Sequence, residues 1–108
     1  MESCIWILVN CPSIKEAKTI GEAILDQRLI ACYDIYKREL SRYFWPPQSN
    51  KKEQAGGALL ILETLKANYQ KVSRKITKLH SDKLPFIGYL DIQGVSSKFT
   101  HWIKGELK

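Results

Sequence analysis

Ala-Cys-Tyr-Asp-Ile-Tyr-Lys-Arg-Glu-Leu-Ser-Arg-Tyr-Phe-Trp, residues 31–45, is the stretch of this sequence that decides the fold. Its aromatic residues and isoleucine favour a strand, and Pro46-Pro47 ends it. A strand of about 15 residues is longer than the usual 3–10. After a polar segment, residues 48–54, and Gly56-Gly57, the apolar residues 58–62 predict a second strand. Together the two strands form a long central hairpin.

Further elements flank this hairpin on both sides. An unbroken apolar run predicts a buried first strand, and the Ser13-x-x-Glu16 pattern predicts the start of a helix. The predicted elements, in chain order, are a strand over residues 4–9, a helix to about Arg28, the hairpin, a helix capped by Thr64, a strand over residues 86–93, and a terminal helix capped by Ser96 that buries Phe99, Trp102 and Ile103.

The order βαββαβ predicts an α+β ferredoxin-like sandwich with an extended β2-β3 hairpin and a short C-terminal helix. We expect residues 1–108 to form a single domain, since this length is typical of one. A core of this size cannot cover the whole hairpin, and an isolated two-stranded ribbon is only marginally stable in water. We therefore expect self-association, with Tyr43, Phe44 and Trp45 at the subunit interface.

Composition limits the cellular setting and the partners. The net charge of +6 raises nucleic acid or an anionic membrane as a partner, but the cations are spread along the chain and are typical of a solubilising surface. Three cysteines without a C-x-x-C pair favour a reducing compartment. The N-terminus lacks a basic segment, and its apolar run is too short to span a membrane. We expect a cytoplasmic protein without a membrane span.

Several motifs extend over the chain: Val9-Asn10-Cys11-Pro12, the segment from Gln27 to Ile35 with its Arg-Leu-x-Ala-Cys block, Ser41-Arg42-Tyr43-Phe44-Trp45, Leu60-Ile61-Leu62-Glu63-Thr64, and Phe99-x-x-Trp102-Ile103. Together they closely resemble the motifs of the CutA divalent-cation tolerance family. The match covers essentially the whole chain. The family usually has His-Pro-Tyr-Glu where this chain has His80-Ser81-Asp82-Lys83.

The resemblance implies a tight homotrimer of ferredoxin-like subunits whose long hairpins pack between copies. It also implies a role in tolerance of copper and other divalent cations, and no enzymatic reaction. The family is structurally similar to PII-type signal proteins. An alternative function is therefore a PII-like signalling module that binds a small anion or a protein at subunit clefts, in which Lys51, Lys52 and Lys83 would matter most.

Cys11, Cys32 and His80 are the first candidates for metal contact, with copper or another divalent cation as the cofactor. Thiolates suit copper(I), whereas imidazole suits copper(II) and zinc. The alternative is that both cysteines are buried structural residues and that His80 is a cation at a helix C-terminus. Asp34 could supply an oxygen ligand, or it could simply be solvated.

Two other function classes fit the residues less well. RNA-binding domains of this fold stack bases on aromatic residues of the central strands, but here the first strand offers only Trp6 and the third is aliphatic. We therefore expect no nucleic acid partner. An acylphosphatase-like enzyme would need an arginine in an anion-binding loop after strand 1, and residues 10–13 contain none.

Overall fold

The computed structural model describes residues 3–108 and contains four strands and three α-helices. In chain order these are β1 (Cys4–Cys11), α1 (Ile14–Asp26), β2 (Cys32–Phe44), β3 (Lys52–Leu65), α2 (Tyr69–Leu79), β4 (Ile87–Ile92) and α3 (Ser97–Glu106), with a 3₁₀ turn (Lys66–Asn68) before α2. Within the described part of the chain no helix is long and apolar enough to cross a bilayer.

The four strands form one antiparallel sheet in the order β2-β3-β1-β4. This order, with α1 and α2 each connecting strands that are not adjacent, is the predicted ferredoxin-like arrangement, and the α+β prediction is confirmed. Side chains alternate between the two sheet faces along each strand. The register between β1 and β3 therefore fixes which residues share a face.

Helices α1 and α2 cover one face of the sheet and enclose the main core. Apolar side chains from the strands and both helices meet there, and most of them are completely buried; they include Ile5, Ile7, Val9, Ile20, Ile24, Leu60, Leu62, Val72 and Ile76. The predicted cap of α1 is present, since the Ser13 hydroxyl accepts the Glu16 backbone N–H at 3.0 Å. Burial of about nine such side chains, at 1.5–3 kcal/mol each, is the main source of stability.

The opposite face, which we call the open face, is covered only at one end. There Ile103 of α3 packs on Cys4 and Leu65. The rest of this face leaves apolar residues accessible, including Trp6 at 38% and Leu90 at 52% exposure. Phe99 and Trp102 were predicted to be buried with Ile103, but in one chain both are exposed and stack on each other instead, with ring centroids 5.4 Å apart.

The β2-β3 hairpin extends beyond the sheet, as the length of residues 31–45 predicted. β1 pairs with β3 only from Ala58 onward, so residues 52–57 pair with β2 alone. This two-stranded part, which we call the arm, is about 20 Å long at 3.4 Å per residue. It begins at Gly57, where a side chain would collide with the carbonyl oxygen of Cys11 and where φ is +151°.

Several predicted boundaries differ from those of the structure. Helix α1 ends at Asp26, because Arg28 adopts a positive φ that terminates the helix. Strand β3 spans Lys52–Leu65 rather than 58–62, since its polar outer residues pair with β2. Strand β4 is shorter than predicted by one residue at each end.

Thr64 was also predicted wrongly, as the cap of α2. It lies inside β3 and is fully buried, and its hydroxyl donates to the Leu29 carbonyl at 2.6 Å and accepts from Asn68 Nδ2 at 3.2 Å. The Thr64 side chain thus ties the end of β3 to the loop that follows α1. The 3₁₀ turn intervenes before α2, whose N-terminus has no side-chain cap.

We expect Thr64→Val to lower the free energy of unfolding by about 1–2 kcal/mol, because the valine keeps the shape but loses a buried hydrogen bond. The matched control is Thr77→Val, which removes an exposed hydroxyl bonded to Ser73 O at 2.9 Å and should change stability by less than about 0.5 kcal/mol. Urea unfolding at one protein concentration measures both. Equal effects of the two changes would contradict the role of Thr64.

Candidate metal centre

The three residues predicted to contact metal do not converge within one chain. Cys11 lies opposite Ala58 at one end of the sheet, whereas Cys32 lies opposite Glu63. These partners are five residue steps apart on β3, which is about 17 Å along the strand. His80 lies at the Cys11 end, so it is also remote from Cys32.

His80 makes structural contacts at both ring nitrogens. Its side chain is completely buried, Nε2 lies 2.7 Å from the Asn10 carbonyl oxygen, and Nδ1 accepts the Asp82 N–H at 3.0 Å. The bond from Asp82 makes Nδ1 an acceptor, so Nε2 is the nitrogen that donates to Asn10. A metal ion could bind only by displacing one of these partners. The prediction that His80 follows the C-terminus of helix α2 holds, but its role here is to join the end of α2 to β1.

Cys11 is equally enclosed, on the helix-covered face of the sheet. It is 1% exposed, and burial together with the nearby Glu16 and Asp82 carboxylates raises the pKa of its thiol to about 11. A protonated thiol in an apolar core is neither a ready nucleophile nor a ready ligand. The structural alternative therefore describes its surroundings better than metal contact does.

Cys32 lies instead in a group of three ligand-bearing side chains on the open face. The Cys32 thiol donates to Glu63 Oε1 at 2.6 Å, and the ligand atoms of Cys32, Asp34 and Glu63 all lie within 4.8 Å of one another. We call these residues the triad. Within residues 3–108 no other group of three His, Cys, Asp or Glu side chains is as close.

The sheet geometry explains why the triad forms. Cys32 and Asp34 are two residues apart on β2, so both point to the same face, and Glu63 lies directly across from Cys32 on β3. The neighbours of Glu63 on β3, Leu62 and Thr64, are fully buried on the helix side. Because side chains alternate, burial of these two neighbours forces Glu63 onto the open face.

The triad holds its thiol in the protonated state. Burial, the hydrogen bond to Glu63 and the negative charges of Glu63 and Asp34 together raise the pKa of the Cys32 thiol to about 12. The same negative charges would favour a bound cation, which neutralises them and deprotonates the thiol. One thiolate and two carboxylates are ligands that zinc accepts, usually in a tetrahedral set whose fourth position is water or another ligand.

Sequence reasoning included Cys32, considered Asp34 and missed Glu63. A carboxylate within the apolar run of residues 59–65 was a signal, since charged residues are rare in buried strands. The pairing with Cys32 depends on the β2-β3 register, and β3 was predicted to end at residue 62.

The pKa of Cys32 predicts slow alkylation. At pH 8 iodoacetamide should modify Cys32 about a thousandfold more slowly in the folded protein than in urea, where the thiol has its ordinary pKa near 9. Glu63→Gln removes one charge and should speed native alkylation roughly tenfold. Peptide mass spectrometry follows Cys32 separately from Cys4 and Cys11. If Cys32 were alkylated at the same rate in the folded unmodified protein and in the folded Glu63→Gln variant, this electrostatic description would be contradicted.

Comparison with known proteins shows which family this chain resembles. The chain is 32% identical over 97 residues to a Protein CutA homolog from Danio rerio, a match that covers 90% of this chain and 63% of that protein. It therefore spans less than two thirds of that relative's length. It is also 28% identical to a divalent-cation tolerance protein CutA from Archaeoglobus fulgidus, with 91% of this chain and 92% of that protein covered.

Solved structures of CutA proteins have the same fold as this chain. The structure of the periplasmic divalent cation tolerance protein CutA from Archaeoglobus fulgidus superposes with a TM-score of 0.90 at 26% identity, covering 97% of this chain and 99% of that one. The divalent ion tolerance protein CutA1 from Ehrlichia chaffeensis gives 0.89 at 25%, covering 97% and 95%. The sequence model of the CutA1 divalent ion tolerance protein family matches residues 5–106. This chain therefore belongs to the CutA1 family.

Proposed function

We propose that this protein is a homotrimeric, non-enzymatic metal-binding protein that contributes to tolerance of copper or other divalent cations. The observation that carries the proposal is the triad, which brings a thiol and two carboxylates together on the open face. Metal contact is assigned to Cys32 with Asp34 and Glu63. Of the other sequence candidates, His80 joins the end of α2 to Asn10 of β1, and Cys11 packs in the main core.

The donor set favours particular metal ions. Copper(I) prefers two or more soft sulfur ligands, and the triad offers one. Divalent zinc and copper accept a mixture of sulfur and oxygen, whereas magnesium and calcium prefer oxygen alone. The divalent form of copper, rather than copper(I), is therefore the form that this site suits.

Exposed apolar surface supports assembly. On the arm and the loop beyond it, Phe44 is 67% exposed, and Tyr43 and Trp45 are about 40% exposed. Trp6, Tyr36 and Leu90 add to this surface on the open face. Exposed aromatic and large apolar side chains of this kind are typical of interfaces between subunits. The number of three copies comes from the family resemblance.

Free thiols support a reducing location. Cys4, Cys11 and Cys32 form no disulfide with one another. Structural disulfides occur mainly in oxidising compartments, so three free thiols suit the cytoplasm. We therefore propose a cytoplasmic protein, although the Archaeoglobus fulgidus neighbour is described as periplasmic.

Metal titration tests the site. We expect one Zn(II) or Cu(II) ion per chain in calorimetry at pH 7.5, under reducing conditions for Zn(II). Cys32→Ser should weaken Zn(II) binding at least tenfold, or about 1.4 kcal/mol, because a thiolate ligand is lost. Asp34→Asn should also weaken binding, by removing a negative oxygen donor.

The matched control is Asp82→Asn, which makes the same chemical change on an exposed aspartate outside the triad. It should leave the affinity unchanged. If Zn(II) affinity fell with His80→Ala and not with Cys32→Ser, the assignment to the triad would be wrong.

Light scattering tests assembly. At micromolar concentration the protein should have three times the 12.5 kDa chain mass. Replacing Tyr43, Phe44 and Trp45 with serine should shift the mass toward the monomer, because it removes apolar contact area from the arm and the adjoining loop. Leu84→Ser, which changes an even more exposed apolar residue outside the arm, is the control. A monomeric unmodified protein would rule out the assembly.

A further inference from the structure

Helix α2 concentrates the positive charge of the chain. It contains four cations and no carboxylate, while the whole chain has a net charge of +6. The cations are Lys71, Arg74, Lys75 and Lys78. Arg74 and Lys75 are adjacent, but each is three or four residues from Lys71 and from Lys78, so the four lie on one face of α2 that is about 100° wide. We call this face the basic stripe.

The basic stripe points away from the core. Val72 and Ile76, on the other side of α2, are fully buried, whereas Lys71 and Lys78 are exposed. The ion pairs of the described residues involve other cations, so none of the four is neutralised by a carboxylate within 4.0 Å. Four like charges along about two turns of helix create a positive potential that favours an anionic partner.

The position of α2 in the fold makes the stripe accessible. Helix α1 packs on β2 and β3, and α2 lies beside it toward the β4 edge, where the Tyr69 hydroxyl donates to the Ile87 carbonyl at 3.3 Å. The helix layer is also opposite the open face that we propose for assembly. Joining copies through the open face would therefore leave α2 in solvent.

The spacing of the charges matches a nucleic acid backbone. From Lys71 to Lys78 the helix rises about 10.5 Å, at 1.5 Å per residue. Each strand of a DNA duplex carries one phosphate per 3.4 Å of its axis, so about three phosphates lie within that length. Four cations can therefore meet a continuous row of phosphates, each with a charge close by.

Other anionic partners fit this helix less well. The apolar face of α2 is buried in the core, so the helix cannot insert into a bilayer as amphipathic membrane helices do. Proteins that bind single strands stack bases on aromatic side chains, and Tyr69 of α2 packs on Tyr89, with ring centroids 4.6 Å apart. Base stacking on the sheet, which the sequence disfavours, is a separate mode from backbone contact by a helix.

We propose that the basic stripe of α2 binds the phosphate backbone of double-stranded nucleic acid. Contacts of this kind fix position but carry no sequence information, so the binding would be independent of base sequence. This interaction needs neither the triad nor a metal ion, and it is therefore separate from the proposed metal function.

The salt dependence of DNA binding tests the proposed role of the basic stripe directly. Fluorescence anisotropy with a labelled 12-base-pair DNA duplex, at about 25–150 mM salt, gives the slope of log K against log salt concentration. With about three phosphates neutralised we expect a slope near −2.7, at about −0.9 per contact. Lys71→Gln and Lys78→Gln should each make the slope shallower by about 0.9. Both residues are exposed, so the fold should tolerate the changes.

The control is Lys51→Gln with Lys52→Gln, which removes as much charge near the tip of the hairpin as Lys71→Gln and Lys78→Gln remove together, and should leave the slope unchanged. If the control made the salt slope shallower by the same amount, net charge, and not α2, would drive binding. Absence of binding to the duplex at 25 mM salt would overturn the proposal. So would binding to phosphatidylserine vesicles without binding to the duplex, since that result would identify a membrane partner.

Discussion

Unequal cover on the two faces of the sheet is the constraint on which the rest of this structure depends. Two helices bury one face completely, and α3 covers only an end of the other through Ile103. Exposed apolar residues on an uncovered sheet face favour a partner surface, since large exposed apolar patches are rare in monomers. The arm adds further uncovered surface, because its two strands pair with no third strand within the described chain.

The candidate metal centre is a consequence of the same constraint. Leu62 and Thr64 must face the helices, so Glu63 between them must face the open side, and the β2-β3 register then brings Cys32 next to it. A shift of one residue would bury Glu63 and expose the core residues, at a cost of several kcal/mol. Packing of the core therefore fixes the β2-β3 register. The candidate metal centre depends on that register but contributes little to its stability.

Much of the fold could be predicted from the sequence because it is encoded locally. The length of β2, the Ser13 and Ser96 caps and the order of elements all follow from hydrophobic spacing and capping residues. Thr64 could not be placed correctly, since a threonine before a helix resembles a cap until its long-range bond to Leu29 is seen. Phe99 and Trp102 were assigned to the core from their spacing alone, but a single chain gives them no surface to pack against.

The site was harder to predict than the fold. Cys11 and His80 lie near each other, as expected for residues at the end of a strand and of a helix, but the bonds of His80 to Asn10 and Asp82 occupy both ring nitrogens. The partner of Cys32 was a residue on another strand, which only the register identifies. Pairing between distant segments is the information that local sequence patterns do not contain.

A crystal structure of the protein grown with zinc tests the central claim most directly, because it shows the assembly and the site together. The account predicts three copies joined through their open faces and arms, with Tyr43, Phe44 and Trp45 buried between them. It also predicts an anomalous zinc peak about 2.3 Å from the Cys32 sulfur and about 2.1 Å from oxygens of Asp34 and Glu63. A monomer whose open face is in solvent, or zinc bound at Cys11 and His80 instead, would contradict it.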